Sequence, residues 1–454
     1  MLYGKKRNNK LKRQIMKPYN LFGALLVVLG LTCLHPVVAQ TTDSLDHYLE
    51  TAARNNPGLN ADFLAYKASL EKVPQAGAWP DPQLDIGFFL KPMDIVGGRQ
   101  IADFTLMQMF PWFGTKNAAQ TEATHMSKMA YAQFRETRDN LYLEVYTQWY
   151  HLATLVEQLR NNRENLRLLR QLEELALRKI SSSSSGMSTG MGNTAPGMSD
   201  VLRVQLEMAE IENNIESIHS EIAAEKAKFN ALLNRSTDRE VILPDSLVKV
   251  PFLFDEGVTM EEIEQRNPML GMLAEEEQAY RAKSVMDQKM SYPMFGIGLQ
   301  YMLIGESKSS PMDTGMTPGM SGMDMVMPMV SISLPLFRNK YKAQQRESRY
   351  LWQSAREKYN NRLNLLQSDL FKLKQQLDDS ERKIALYRKQ EQLARTAYQL
   401  VVQEFVSAKS DLTNVIQVQR QLLDYRLREA EAIADYNTRV AAIRKMRSFQ
   451  SINN

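Results

Sequence analysis

The chain is almost without cysteine. Its 454 residues include a single one, Cys33, which lies in an N-terminal segment that we expect to be removed. The mature chain would then contain no cysteine, which excludes disulfides and thiolate metal ligands. Lipid attachment at Cys33 is the alternative, although Thr32 precedes it where such sites favour glycine, alanine or serine.

Long apolar runs are also rare. One run, residues 21–34, follows a segment rich in lysine and arginine and precedes Ala39, a pattern typical of a secretory signal peptide. We therefore expect a signal peptide over residues 1–39, with Met1 or Met16 as the true start. The run is shorter than the roughly 20 residues of a spanning helix, and no later run reaches that length. A membrane crossing would have to use β-structure.

Neither the charge nor the motifs point to nucleic acid or to catalysis. The formal net charge is +4 and no basic block follows the signal peptide, so no nucleic-acid partner is expected. No nucleophile, histidine and acid constellation or phosphate-binding glycine loop is present, so we expect no enzyme, no catalytic residues and no cofactor. The histidines are scattered, as His47, His125, His151 and His219.

What the chain does contain is an internal repeat, in which four motifs recur in the same order. The pairs are Asn56-Pro57 with Asn267-Pro268, Trp79-Pro80 with Tyr292-Pro293, Phe110-Pro111-Trp112-Phe113 with Leu334-Pro335-Leu336-Phe337, and Ser199-Asp200 with Ser410-Asp411. We predict a first structural repeat at 40–235, an equatorial linker at 236–258 and a second repeat at 259–454.

Each repeat is expected to hold a helix, two strands and two long helices. Apolar and polar residues alternate around Ile86 and around Ile297, which is typical of strands with one apolar face. The predicted strands are about 82–92, 102–112, 293–304 and 326–336. The predicted long helices are about 115–180, 200–234, 340–406 and 411–448.

Heptads of apolar residues mark the long helices. They run from Tyr142 to Leu159, from Val204 to Ile222 and from Leu363 to Phe405, with Ser380 and Glu391 at two seam positions of the last series. Sustained heptads predict coiled-coil packing. The fold class is therefore an α+β membrane protein, in which a long α-helical coiled-coil barrel joins a transmembrane β-barrel.

Four predicted strands are too few to close such a barrel, and lipid does not tolerate an open sheet edge. Several copies must then share one barrel. Two copies would give about eight strands, whose interior is filled by side chains, so a conducting channel favours three or more copies.

The repeated plan, the proline before each long helix (Pro111, Pro335) and the aspartate at each return helix (Asp200, Asp411) resemble TolC-type outer-membrane efflux factors over residues 43–448. The resemblance implies a homotrimer with a twelve-stranded barrel in the outer membrane of a Gram-negative bacterium and a helical tunnel in the periplasm. It also implies a periplasmic adaptor (membrane fusion) protein that docks on the helical tips, and an inner-membrane RND-type pump.

By this resemblance the tips lie at 181–199 and 407–411, and the outer loops at 91–101 and 305–325. Relatives narrow the periplasmic aperture with two aspartates, whose positions align here with Asn414 and Gln417. An acidic gate is therefore not implied for this chain. The expected tip and aperture residues are Asp200, Lys409, Asp411, Asn414 and Gln417, with Asp200 and Asp411 also expected to cap their helices.

Methionine is concentrated in two segments rich in glycine, serine, threonine and proline. Thioethers are soft ligands that favour Cu(I) and, by extension, Ag(I), so the pattern predicts transient contact with a transported metal ion and resembles the outer-membrane components of copper and silver efflux systems. Adaptable apolar filler in low-complexity loops is the alternative. The residues are Met187, Met191, Met198, Met312, Met316, Met320, Met323, Met325, Met327 and Met329.

The predicted function is a channel of a tripartite pump that exports metal ions. One alternative keeps the channel and changes the cargo to drugs or, by type I secretion, proteins. Another treats the heptads as a structural or adhesive coiled coil at the cell surface, which would not need the alternating strands. The aromatic residues beside the strands suit either a membrane-interface belt in contact with lipid or packing at the strand-to-helix junction. They are Trp79, Phe110, Trp112, Phe113 and Tyr292.

Overall fold

A computed structural model of the chain describes residues 45–92, 94–95, 98–183, 198–306, 322–407 and 409–449, and the expected signal peptide lies outside them. The helices are α1 (Leu45–Asn55), α2 (Pro57–Ala76), α3 (Thr115–Ser183), α4 (Met198–Leu232), α5 (Glu256–Arg266), α6 (Pro268–Lys289), α7 (Arg338–Val406) and α8 (Leu412–Met446). The strands are β1 (Gln83–Phe88), β2 (Asp94–Ile95), β3 (Gly98–Phe110), β4 (Met294–Gly305) and β5 (Met325–Ser333).

Four long helices dominate the described chain. α3 and α7 have 69 residues each, and α4 and α8 have 35 each. At 1.5 Å per residue the longer pair extends for about 100 Å. Within the described residues, no helix is both long and apolar enough to span a bilayer.

The predicted heptad seams are the buried faces of these helices. In α3, Val145 and Leu152 are fully buried, as is Val204 in α4. The seam of α7 continues through its two polar positions, since Ser380 and Glu391 are also buried. Each has a partner: Ser380 Oγ donates to the Gln376 carbonyl at 3.0 Å, and Glu391 accepts from two arginines. The coiled-coil prediction is confirmed.

The helices of the two halves of the chain pack on one another. α3 contacts α1, α2, α4, α6 and α8, and α7 contacts α6 and α8. Near the far ends of the long helices, Leu169 of α3, Val204 of α4, Phe405 of α7 and Leu412 of α8 belong to one buried cluster. The four long helices therefore share a core at that end.

The linker between the halves lacks regular structure and is held by side chains. Asn437 of α8 accepts from the Val250 amide at 2.8 Å and donates to the Val248 carbonyl at 2.9 Å. The Tyr48 hydroxyl accepts from the Ile242 amide at 2.9 Å. These bonds satisfy backbone groups that no neighbouring strand or helix pairs.

The strands form one antiparallel sheet in the order β1-β3-β4-β5, with the short β2 on the end of β3. The β3–β4 pair, in which Leu106 lies opposite Leu299, joins the two halves of the chain. β3 begins at Gly98 and β2 precedes it, so both occupy part of the predicted loop 91–101. Gly98 permits this tight return because its φ is +130° and a Cβ would meet the Gly305 carbonyl.

The strand ends differ from the prediction where proline intervenes. β3 stops at Phe110, before Pro111, and β5 stops at Ser333, two residues before Pro335. Proline has no amide hydrogen to donate to a neighbouring strand, which explains both limits. At its other end β5 begins at Met325, inside the residues expected to form an outer loop.

Candidate functional site

One face of the sheet is apolar and open. Because side chains alternate in a strand, the pairings Ile86–Phe104, Leu106–Leu299 and Ile297–Val330 place one set of residues on the same face. Large side chains of this face are 49% to 77% exposed in the single chain. They are Leu84, Ile86, Phe88, Leu106, Ile297, Leu299, Val326, Val330 and Ile332.

The opposite face is polar and rich in thioethers. It carries Asp85, Asp103, Thr105, Gln300 and Ser331, with Gly296 and Gly298 between them, as the strand pairings show. The same register places seven methionines on this face: Met107, Met109, Met294, Met302, Met325, Met327 and Met329. The sheet therefore separates two chemistries, hydrocarbon on one side and hydrogen-bonding groups with sulfur on the other.

This arrangement corrects the prediction for part of the methionine set. Met325, expected at the end of the outer loop 305–325, lies in β5, because the alternation of Val326, Pro328 and Val330 on the apolar face extends the strand backward. Met327 and Met329 lie in β5 as well, within the predicted strand 326–336. Met198 and Met323 are exposed. The remaining predicted metal contacts, Met187, Met191, Met312, Met316 and Met320, lie outside the described residues.

Sequence reasoning missed the methionines of the neighbouring strands. Met107 and Met109 of β3 and Met302 of β4 share the face of the β5 methionines. The signal was available, since Thr105, Met107 and Met109 alternate with Leu106, Gln108 and Phe110. A single methionine in a strand needs no explanation in itself, and only the strand register shows that they gather.

Aromatic side chains surround the junction between strands and helices. Trp112 stacks on Tyr292 with ring centroids 5.1 Å apart, and Trp79 meets Phe110 edge to face at 5.4 Å. Lys116 Nζ lies 3.5 Å from the centre of the Trp79 ring. Phe113 is 82% exposed. The residues therefore pack on each other and still present aromatic surface, so both predicted roles have structural support.

At the other end of the helices, the described part of the expected tip contains a capped turn. Asp411 precedes α8 and accepts from the Asn414 amide at 3.1 Å, which confirms it as an N-cap. Asp200 instead lies within the first turn of α4, where the helix dipole stabilises a negatively charged carboxylate. Asn414 donates to Ser410 Oγ at 3.2 Å, and Lys409 and Gln417 are exposed.

Two arginines of α8 connect it to its neighbours near this end. Arg420 forms an ion pair with Glu207 of α4, with Nε 2.7 Å from Oε1. Arg426 donates to Glu164 of α3 at 3.1 Å and to Glu391 of α7 at 3.0 Å. Burial would raise the pKa of Glu391, but the hydrogen bonds from Arg395 and Arg426 outweigh it and lower that pKa.

The described part of the chain offers little for a resident metal or for catalysis. It contains no cluster of three or more histidine, cysteine, aspartate or glutamate side chains able to hold a metal ion. The buried Asp139 is engaged by Arg138 at 2.7 Å and by Ser448 at 2.6 Å. Burial raises the pKa of Asp139 in spite of these partners. Asp139 is fully buried among the helices, where its hydrogen bonds join α3 to the residues that follow α8.

Sequence comparison matches residues 259–447 to the family described as outer membrane efflux protein. No curated protein matches the chain in sequence.

Solved structures share the fold at low sequence identity. The outer membrane protein VceC of Vibrio cholerae is 16% identical, with a TM-score of 0.71 over 89% of this chain and 96% of that one. CusC, whose structures are described as showing conformational changes that accompany folding and transmembrane channel formation, is 13% identical. Its TM-score is 0.70, over 90% of this chain and 92% of that one. The CmeC outer membrane channel of Campylobacter jejuni is 11% identical, with a TM-score of 0.67 over 89% and 85%.

The sequence match of the second half thus agrees with the fold of the whole described chain, with its long helices and small antiparallel sheet. The protein is a channel component and not an enzyme, and it resides in the outer membrane with a periplasmic helical portion. Residues 259–447 thus match the outer membrane efflux protein family, and the described chain as a whole has the fold of TolC-type outer-membrane channels.

Proposed function

We propose that three copies of this chain form one export channel, in which their sheets close a twelve-stranded barrel. The observation that carries the proposal is the two-sided sheet, whose apolar face is exposed in a single copy while the other face is polar. An apolar face of this kind suits lipid, and a polar face suits a water-filled interior. The two edge strands, β1 and β5, each have one unpaired side within the described sheet, where strands of neighbouring copies would pair.

A second stripe of exposed apolar residues supports association through the helices. Leu386, Leu393 and Leu400 recur every seven residues along α7 and are 50% to 62% exposed, whereas the buried seam of the same helix faces α8. A helix with two apolar stripes packs against two neighbours. Helices of a second copy of this chain are the neighbours that a tubular assembly would supply.

The internal repeat is part of this proposal. α3 matches α7 in length and α4 matches α8, and each half contributes an antiparallel strand pair, β1–β3 or β4–β5. Two similar halves in each of three copies would give six similar units around one axis. That arrangement supports a helical tube of even thickness.

We further propose that the tips bind a periplasmic adaptor and belong to a tripartite assembly with an inner-membrane RND-type pump. The tip residues Asp200, Lys409, Asp411, Asn414 and Gln417 would then surround the periplasmic aperture. Asn414 and Gln417 are neutral, so this aperture would lack carboxylates at the two positions where relatives narrow it with aspartates.

The cargo that best fits the chain is Cu(I) or Ag(I). Thioether sulfur is a soft ligand suited to these ions, and it persists where an oxidising compartment would pair cysteines. Methionine recurs both beside the tip, at Met198, and on the polar face of the sheet, at Met325, Met327 and Met329. Weak sites at both ends of a conduit would concentrate a soft cation without retaining it.

A tolerance assay separates metal export from drug export. A strain that lacks the gene is complemented with the wild-type chain or with a variant in which the seven methionines from Met312 to Met329 become leucine. We expect the strain with the variant to have the same drug tolerance as the strain with the wild-type chain. Its tolerance of copper and silver should be lower. A chain with Met126, Met129 and Met208 of the helices changed to leucine is the matched control.

The result that overturns metal export is equal copper and silver tolerance with all three chains. If the wild-type chain restores only drug tolerance, the cargo is a drug and the methionine pattern is not the determinant. Assembly is checked in the same strains by heat-resistant trimers on a gel, and a monomer in detergent would contradict the shared barrel.

A further inference from the structure

Two glycines on the polar face of the sheet create a gap that sulfur atoms fill. Met109 Sδ lies 2.6 Å and Met107 Sδ 3.2 Å from the point that a Cβ of Gly296 would occupy. Both sulfurs therefore lie near one point, and their separation cannot exceed the sum of these two distances. A side chain at residue 296 would displace them. The glycines of β4 let two thioethers of β3 lie close together.

A third thioether faces the same gap from the other side. Gly298 lies opposite Met107 of β3 and opposite Met329 of β5, so no side chain separates these two methionines. Their Cα atoms are two inter-strand spacings apart, about 10 Å, a span that two unbranched side chains can cover together. Met107, Met109 and Met329 are each only partly exposed. The gap is thus lined by the sulfurs of Met107 and Met109, and Met329 lies across Gly298 from Met107 on the same face of the sheet.

Met302, Met325 and Met327 of this face lack such an opening. Met302 Sδ accepts a hydrogen bond from Gln100 Nε2 at 2.8 Å. Met327 lies opposite Gln300, and Met325 lies opposite Met302, so a side chain of β4 stands between each of them and β3. Met294 lies at the start of β4, opposite Ser333. The pairing of methionines of β3 and β5 across a glycine is therefore specific to the level of Gly298.

We propose that Met107, Met109 and Met329 form a binding site for a soft monovalent cation, Cu(I) or Ag(I). Three neutral thioethers suit such an ion because the bonds rely on soft, polarisable sulfur and not on charge. A neutral site also exchanges its ion more readily than a thiolate site would. The position of this site inside a conduit, as a contact for passing cargo, rests on the proposed function.

The test compares two triple variants with equal numbers of methionines removed from the same face. The site variant carries Met107→Leu, Met109→Leu and Met329→Leu, and the matched control carries Met302→Leu, Met325→Leu and Met327→Leu. Leucine has nearly the volume of methionine and is tolerated well. Full-length purified proteins are titrated with silver nitrate in chloride-free buffer, and bound silver is measured by equilibrium dialysis. The control should bind as the wild type does, and the site variant should lose roughly tenfold or more in affinity.

A second variant approaches the site from the glycine. Gly296→Ala places a methyl group 2.6 Å from the Met109 sulfur and 3.2 Å from the Met107 sulfur, so that both must shift, and it removes no methionine. It should lower silver affinity in the same direction as the site variant. Its partner is Gly271→Ala in α6, where nothing lies within 4 Å of a new Cβ, and this change should leave binding unaltered.

The site is refuted if the wild-type protein binds no silver, if the site variant binds as tightly as the wild type, or if both triple variants lose equally. These outcomes differ from a failure of the proposed function. Silver bound and lost as expected in a protein whose strains show unchanged metal tolerance would retain the site and reject metal export.

Discussion

Asn56 and Asn267 make the same pair of hydrogen bonds in the two halves of the chain. Each side-chain oxygen accepts from the amide three residues ahead, at 3.1 Å in both cases. Each side-chain nitrogen donates to the carbonyl of the last residue of a 35-residue helix, Leu232 at 3.0 Å and Met446 at 2.9 Å. Asn56 thus caps the N-terminus of α2 and binds the C-terminus of α4. Asn267 does the same for α6 and α8.

Removing these side chains should lower stability unequally. Asn267 is buried and Asn56 is half-buried, so Asn267→Ala leaves its partners further from water. We expect a loss of about 1–2 kcal/mol for Asn267→Ala and a smaller loss for Asn56→Ala, measured as denaturant-induced unfolding of the helices by circular dichroism. Asn60→Ala, at an exposed position of α2, should have little effect. Equal losses at all three positions would contradict the role of the paired bonds.

Arg426 should contribute more to stability than Arg428, one turn or less away on α8. Arg426 reaches carboxylates on α3 and α7, and its side chain is 25% exposed. Arg428 forms its ion pair within its own helix, with Asp424, and is 51% exposed; its contact with α7 is to the neutral Tyr387. We expect Arg426→Met to cost about 1–3 kcal/mol and Arg428→Met less than about 1 kcal/mol. Denaturant unfolding curves of the two variants and the wild type measure both losses. A larger loss for Arg428→Met than for Arg426→Met would contradict the prediction.

The lowered pKa of Glu391 predicts an acid-sensitive contribution to stability. A carboxylate whose pKa is lower in the folded state stabilises the fold above its ordinary pKa of 4.5. That contribution is lost as the pH falls below 4.5 and through the lowered value, because the folded protein must then accept a proton that it disfavours. Thermal midpoints should therefore fall in this acidic range, and the fall should be smaller in Glu391→Gln.

Asp139 supplies a control of opposite sign. Its pKa is raised, chiefly by burial, so its ionised form costs stability above that raised value and acidification through it relieves the cost. Asp139→Asn has no carboxylate to protonate, so acidification no longer adds this stabilising contribution. The acid-induced fall in its thermal midpoint should be steeper than in the wild type. Identical pH profiles in the wild type and both variants would contradict both assignments.

Lysine should be tolerated on one face of β5 and not on the other. Val330 lies on the apolar face and is 77% exposed in the single chain, and Ser331 follows it on the polar face. If the apolar face meets lipid, Val330→Lys costs about 2–4 kcal/mol near the bilayer midplane, while Ser331→Lys stays within reach of water. The yield of heat-resistant trimer in outer-membrane fractions should drop only for Val330→Lys, and a drop for Ser331→Lys alone would reverse the assignment of faces.

Two glycine substitutions should shift stability in opposite directions. Gly271 lies in α6 with open space around a new Cβ, so Gly271→Ala should raise stability by about 0.5–1 kcal/mol. Gly98 has a φ of +130° and would place its Cβ against the Gly305 carbonyl, so Gly98→Ala should lower it. Thermal midpoints of the two variants measure both changes. A higher midpoint for Gly98→Ala would contradict the strained backbone at the start of β3.

The heptads explain why the helices were predictable to within a few residues. A repeat of apolar residues every three and four positions is a local property, and the observed α3 and α7 begin and end close to the predicted limits. The buried Ser380 and Glu391 could be assigned to the seam by spacing alone. Their partners could not, since Arg426 belongs to a different helix.

The sheet was predicted less completely. Alternation indicated four strands, but the limits of β3 and β5 depended on pairing with neighbours, and β2 gave no periodic signal at two residues in length. Met325 was assigned to the outer loop because glycine, proline and serine are frequent in the residues before it. Pairing with β4 instead extends β5 to Met325, since backbone hydrogen bonds across strands stabilise residues whose local sequence does not favour a strand.

The sequence by itself determined the long helices, their buried seams and the presence of two-sided strands, because each depends on the spacing of residues near one another in the chain. Only the tertiary structure decided that β3 lies beside β4, that the Met107 and Met109 sulfurs lie over Gly296, and that Met329 stands opposite Gly298. The reason is physical: a strand leaves half of its backbone hydrogen bonds to whichever strand comes beside it, and that choice sets which distant side chains share a face.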